Sequence, residues 1–221
     1  HQGDFFQLYN AYNTYGAYQI TSEAMGKRSL KNTCLSYLMS LDPLPADILE
    51  LCVNQYRKAT NMTDTIAALG CITHLEDPVR SEHFDDFYRK WKHESLVMDK
   101  WFTLQAISNL RNSLNNVLYL VDDELFSTNK PNRVRALVGA FCSSNHVRFH
   151  DVGGEGYSFL GDMVIRLNTT NPQIAARLLT PLINWKRYDK TRQSLMKRQL
   201  DRLAGEKGVS RDVFEIVNKS R

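Results

Sequence analysis

Apolar residues recur at helical spacing along most of this chain, and runs in which β-branched and polar residues alternate are nearly absent. Leu30, Cys34, Leu38 and Leu41 form one stripe, and Ile48, Leu49, Cys52 and Tyr56 form another beyond Asp42-Pro43-Leu44-Pro45. Proline lacks an amide hydrogen and fixes its own φ, so prolines so placed stop one helix and start the next. The pattern predicts further helices over Thr63 to Leu75, roughly Pro78 to Lys92, Val97 to Ile107 and Leu114 to Val121. Val134, Leu137, Val138 and Phe141 follow the i, i+3, i+4, i+7 rule, as do Phe159, Leu160, Met163, Val164 and Leu167. Helices are expected again over Pro172 to Lys186, broken or kinked at Pro181, over Asp189 to Leu203, and from about Val209. Connections of only a few residues predict an all-α fold of antiparallel helix pairs stacked in a curved superhelical array. The one long irregular stretch is expected from Ser143 to Gly156.

A chain of 221 residues with 43% hydrophobic content can bury a substantial core, and one domain is the simplest description. No stretch reaches the ~18 consecutive apolar residues that a membrane helix needs, and His1-Gln2-Gly3-Asp4 lacks the regions of a secretory signal. Cys34, Cys52, Cys71 and Cys142 are widely spaced, mostly on apolar helical positions and without a Cys-x-x-Cys pair, so they read as small buried hydrophobes. That usage is compatible with a reducing, cytoplasmic compartment. The formal charge of +4 is concentrated between Lys186 and Arg202. Such a basic helix can meet nucleic acid, but no aromatic platform interleaves the charges, and a solvated helix face is the better reading.

The chain offers no catalytic or metal site of its own. His93-Glu94-Ser95-Leu96-Val97 has valine where a zinc-binding helix needs its second histidine. His146 and His150 are four apart but fall in the irregular stretch, where a surface or capping role is expected. Gly153-Gly154-Glu155-Gly156 has neither the preceding strand nor the spacing of a nucleotide-binding loop. Asn171-Pro172-Gln173-Ile174-Ala175-Ala176-Arg177 is more informative. Asn171 suits an N-cap and Pro172 the first helical turn, which leaves Gln173 and Arg177 one turn apart on one face. An amide and a guanidinium beside a helix start can bind a peptide backbone or a carboxylate. Asn61-Met62-Thr63-Asp64 reads as a loop and helix cap, with Thr63 as capping residue. Leu96 to Phe102 reads as packing, with Val97, Trp101 and Phe102 inward and Asp99 and Lys100 outward.

Four patches occur in a definite order: Asn61-Met62-Thr63-Asp64, Leu96-Val97-Met98-Asp99-Lys100-Trp101-Phe102, the run from Asn129 to Phe141, and Asn171-Pro172-Gln173. Together they resemble the C-terminal helical domain of aminopeptidase N, a zinc exopeptidase. The resemblance runs from about residue 25 to the end. It implies a HEAT-like helical domain that closes over a catalytic domain lying outside this sequence, with Gln173, Arg177 and Arg135 lining the substrate pocket. The zinc cofactor, its His-Glu-x-x-His ligands and the catalytic residues would all belong to that other domain, the partner of this one, which acts on short peptides. Gly153-Gly154-Glu155-Gly156 departs from the Asp-Gly-Ser-Gly associated with the family. The family domain is expected to extend upstream of His1, leaving apolar surface exposed near the N-terminus, as in a piece of a longer protein. The competing reading is a stand-alone helical-repeat scaffold that binds a peptide or protein partner.

Overall fold

The computed structural model describes residues 1–13 and 17–221, and all regular secondary structure among them is helical. The contacts divide the chain into two compact units, His1–Asp86 and Phe87–Arg221.

The first unit holds α1 (Gln2–Tyr12), α2 (Ser22–Leu38), α3 (Ala46–Lys58), α4 (Met62–Ile72) and the start of α5 (Pro78–Trp91). α1 packs on α2, and α4 packs on both α2 and α3. The core is Tyr9, Cys34, Leu35, Leu38, Ile48, Cys52, Leu69, Ile72 and Phe84. The α2 stripe is rotated from the expected one, because Lys31, Cys34, Leu35 and Leu38 are buried while Leu30 is exposed. Lys31 tolerates burial because its ammonium meets Asp64 at 2.8 Å. Burial works against the charge on Asp64. Hydrogen bonds from Lys31, Asn61 and Asn32 outweigh that penalty and hold the carboxyl below its usual range. The cap of α4 is Asn61, not Thr63: the Asn61 side chain accepts from the Asp64 amide at 2.9 Å, while Thr63 already lies inside the helix. Phe6, Leu8, Tyr18, Ile20, Met25, Leu30 and Tyr37 form a dense set of exposed apolar residues near the N-terminus.

The second unit continues through α6 (Ser95–Ala106), α7 (Ser113–Val121), α8 (Pro131–Val134), a π-helical turn (Arg135–Gly139), α9 (Ala140–Ser144) and α10 (His146–Phe149). It ends with α11 (Glu155–Asn168), α12 (Pro172–Leu178), α13 (Thr180–Ile183), a 3-10 turn (Trp185–Arg187), α14 (Lys190–Gly205) and α15 (Arg211–Ser220). Phe87, Met98, Phe102, Leu137, Phe141, Phe149, Tyr157, Leu160, Leu179, Met196 and Leu200 fill its core. The helix expected from Pro172 to Lys186 is broken into three pieces, with Leu179 in a turn just before Thr180-Pro181. Pro181 cannot donate to the carbonyl of Arg177, so the break falls where proline chemistry requires it.

The stretch from Ser143 to Gly156 is more ordered than its sequence suggests. Asn145 is buried, and its amide nitrogen donates to the carbonyls of Ala106 at 2.8 Å and Ser108 at 2.6 Å and to Ser113 Oγ at 3.3 Å. Its amide oxygen caps α10 by accepting from the Arg148 amide. Gly154 takes a φ of +76°, and a Cβ there would lie 2.9 Å from Leu195. A Cβ on Gly156 would lie only 2.5 Å from the carbonyl oxygen of Phe149, so the start of α11 presses backbone to backbone against α10.

Candidate functional site

Asn171 and Pro172 start α12 as the sequence predicts. The Asn171 side chain accepts from the Ile174 amide at 3.2 Å, and Pro172 occupies the first turn, where its missing amide hydrogen costs nothing. Ile174, Ala175, Ala176 and Leu178 are buried, which turns Gln173 and Arg177 outward together. Among the described residues neither side chain has an internal hydrogen bond or ion-pair partner, and both are exposed.

Arg135 opens the π-helical turn and is exposed, with one guanidinium nitrogen 2.8 Å from Asn132 Oδ1. The Ala140 amide reaches back five residues to the Arg135 carbonyl, the mark of a π turn. A Cβ on Gly139 would sit 3.7 Å from Arg135 Cβ and 3.8 Å from Leu178 Cδ2. The end of α12 therefore rests beside the turn that carries Arg135, and glycine leaves room for both. Apposition runs through Gly139 and Leu178: Arg135, Gln173 and Arg177 do not hydrogen-bond one another. Arg135 lines an open groove of about 500 Å³ with Asp99, Thr103, Asn132, Ser143 and Ser144, and Gln173 and Arg177 lie outside that groove.

Beneath Arg135 lies a residue whose role the sequence reading missed. Arg133 is 2% exposed. Its Nε donates to Asp99 Oδ1 at 2.6 Å, one terminal nitrogen donates to the Leu125 carbonyl, and the other donates to the Ser95 carbonyl at 3.2 Å. The guanidinium carbon also stands 4.7 Å from the centre of the Phe102 ring. Asp99 is therefore not an outward solvent residue. It ties α6 to α8 and fixes the backbone that presents Arg135. Arg133 shares the i, i+3, i+4 face with Ala136 and Leu137, both buried, and that spacing was the available signal.

His150 is not the surface or capping residue that its sequence context predicts. It is buried, with Nδ1 2.9 Å from the Tyr157 hydroxyl and Nε2 2.9 Å from the Tyr188 hydroxyl. Its carbonyl accepts from Arg192 Nε at 2.7 Å. Burial, then the neighbouring His146 and Arg192, push the imidazole down to about 4. His146 stacks on it with ring centres 6.0 Å apart. With both ring nitrogens of His150 engaged, this pair does not offer the ligands zinc requires. No group of three or more His, Cys, Asp or Glu among the described residues could hold a metal ion. The four cysteines are free thiols, three of them buried. No helix among the described residues is long and apolar enough to cross a membrane.

The fold and this surface define a helical-repeat domain. Residues 1–221 match the family described as "Domain of unknown function (DUF3458_C) ARM repeats", and the chain belongs to that family. It is 43% identical over 217 residues to aminopeptidase N of Haemophilus influenzae, covering 98% of this chain and 24% of that protein. It is 41% identical over 217 residues to aminopeptidase N of Escherichia coli, covering 98% of this chain and 25% of that protein. Among solved structures it is similar to Legionella pneumophila aminopeptidase A in complex with aspartic acid, with a TM-score of 0.88 and 29% identity over 99% of this chain and 26% of that one. The resemblance to the C-terminal helical domain of aminopeptidase N therefore holds over nearly the whole chain, which spans about a quarter of the length of these relatives.

Proposed function

We propose that this chain is the helical domain of a zinc-dependent aminopeptidase that removes N-terminal residues from short peptides in the cytoplasm. The carrying observation is the similarity of 98% of the chain to about a quarter of two aminopeptidase N proteins. The chain acts with a catalytic domain of the same protein, covers its active site and limits which peptides reach it. Zinc chemistry, the polarisation of the scissile carbonyl and activation of water, belongs to that other domain. On this chain Gln173 orients peptide backbone through its amide, while Arg177 and Arg135 attract the carboxylate end of a short substrate. The free state of the Gln173 and Arg177 side chains on α12 supports that role.

The test compares the purified chain, alone and mixed with the upstream part of its parent protein, against a panel of aminoacyl amides and short peptides. Activity only in the mixture is expected. In the parent protein, Arg177→Ala and Arg135→Ala should raise KM for peptides with a free carboxylate about tenfold, one charge-assisted hydrogen bond each, while leaving neutral amides nearly unchanged. Equal losses on both substrate types would refute the carboxylate role. Zinc-dependent turnover by the chain alone would refute the division of labour.

A further inference from the structure

We propose that Cys52 and Cys71 form a hydroperoxide-reactive dithiol that closes to an intramolecular disulfide between α3 and α4. The two helices are packed neighbours within the unit His1–Asp86. Cys52 Sγ donates to the carbonyl oxygen of Ala68 at 3.4 Å. In a helix that carbonyl points toward the residues three and four positions later, here Cys71 and Ile72, so the Cys52 sulfur rests at the turn that carries Cys71. The two thiols are close enough to influence each other's ionisation.

The two thiols have different surroundings. Cys52 is fully buried, whereas Cys71 is only partly covered. The Cys52 thiol beside it favours the thiolate of Cys71 against the opposing effect of burial and draws that thiol below its ordinary value. Cys52 is pushed up by the same contact and by burial, and burial pushes up Cys34 and Cys142. Peroxides react with thiolates that they can reach, and Cys71 alone among the four combines access with a stabilised thiolate.

The chemistry runs in two steps. The Cys71 thiolate attacks one oxygen of the hydroperoxide, the O–O bond breaks, and Cys71 becomes a sulfenic acid while the departing oxygen takes a proton and leaves as water or alcohol. Cys52 then gives up its proton and attacks the Cys71 sulfur, the S–O bond breaks, and the oxygen leaves as water. Two thiols are oxidised by two electrons and one hydroperoxide is reduced by two.

The experiment treats the full chain with a small excess of hydrogen peroxide, blocks remaining thiols with iodoacetamide and maps the products by mass spectrometry. Digestion includes cleavage after Glu50, which separates Cys34 from Cys52. The expected product is a Cys52–Cys71 linked peptide pair about 2 Da lighter than the two reduced peptides, with Cys71 consumed about tenfold faster than Cys34 or Cys142. Cys52→Ala should stop the reaction at the Cys71 sulfenic acid, trapped by dimedone, and Cys34→Ala should change nothing. Mapping of the unsubstituted chain decides the matter even if a variant fails to fold. A link between other cysteines, or oxidation of Cys71 no faster than of Cys34, would overturn the proposal.

Discussion

Arg133→Met is the substitution that most directly probes how the second unit is held. The Arg133 side chain is 3% exposed and that of Asp99 18%. Methionine keeps most of the stem volume and the contact with Phe102, so the loss falls on the polar head. Breaking a buried ion pair from one side costs about 3–5 kcal/mol, because the remaining charge stays unpaired in the interior. Asp99 reaches some water, which argues for the low end. The carbonyls of Ser95 and Leu125, however, also lose their guanidinium donor, which raises the figure again within that range. A loss of about 3–4 kcal/mol follows.

All three tryptophans, Trp91, Trp101 and Trp185, lie in the unit Phe87–Arg221, so their fluorescence follows this unit in a urea titration. With a urea dependence of about 1.5–2 kcal/mol per molar, the midpoint should fall by about 2 M. Asp99→Asn should cost about 3 kcal/mol, since the amide oxygen can still accept from Nε but the more deeply buried Arg133 charge is left unpaired. Asp99→Leu combined with Arg133→Met should cost clearly less than the two single losses added together, because the double variant leaves no orphaned charge. A midpoint shift under about 0.5 M for Arg133→Met, or strict additivity in the double variant, would refute the argument that this pair ties α6 to α8.

Gly156→Ala should lower stability by about 2–3 kcal/mol in the same titration, because its new Cβ meets backbone at 2.5 Å; Gly139→Ala, with nothing nearer than 3.7 Å, should be neutral or slightly stabilising. Asn145→Ala leaves the Ala106 and Ser108 carbonyls unpaired and removes the α10 cap, and should cost about 3 kcal/mol by thermal or urea unfolding. For His150, the unfolded imidazole takes its proton near 6.5 and the folded one only at about 4. The unfolded chain therefore binds more protons below pH 6.5. Stability should be fully present above that value and fall by up to about 3 kcal/mol as the pH drops to 4. Titrating the urea midpoint over that range checks this, and a His150→Gln variant should flatten the slope.

Much of the helical order was legible in the sequence because it rests on local chemistry. The apolar period, Asn171 with Pro172, and the break at Pro181 each act within one or two turns. The interior polar residues were not legible, because their partners are remote in sequence. Arg133 is explained by Asp99, Ser95 and Leu125, Asn145 by Ala106, Ser108 and Ser113, and His150 by Tyr157, Tyr188 and Arg192. Lys31 shows the same effect from the other side, since its burial makes sense only once Asp64 is beside it. α1 carried a readable signal in Phe5, Leu8, Tyr9 and Tyr12 at helical spacing, with Tyr9 buried and Phe5 stacked on Tyr37 at 4.8 Å. The candidate site was legible as a helix start with two outward side chains. That Arg135 stands on a π turn beside the end of α12 was not, because the contact between Gly139 and Leu178 joins segments far apart in the chain.

The disposition of positive charge separates the cations paired within the chain from those left exposed. Arg133 is consumed by four internal acceptors, and Arg192, Arg202 and Arg221 are paired with Asp189, Asp162 and Asp201. Lys186 and Lys197 both lie over the Trp185 ring. The basic run from Lys186 to Arg202 is thus partly neutralised and partly laid against an aromatic face, which weakens its case as a track for a phosphate backbone. Among the described residues Arg177 has no internal acceptor, and Arg135 has only the neutral amide of Asn132. A cation left unpaired beside a well-capped helix start keeps its full attraction for an incoming carboxylate, whereas a paired one has already spent it. Under the proposed function, the charge offered to a peptide is the small amount left on Arg135 and Arg177, not the larger amount on α14.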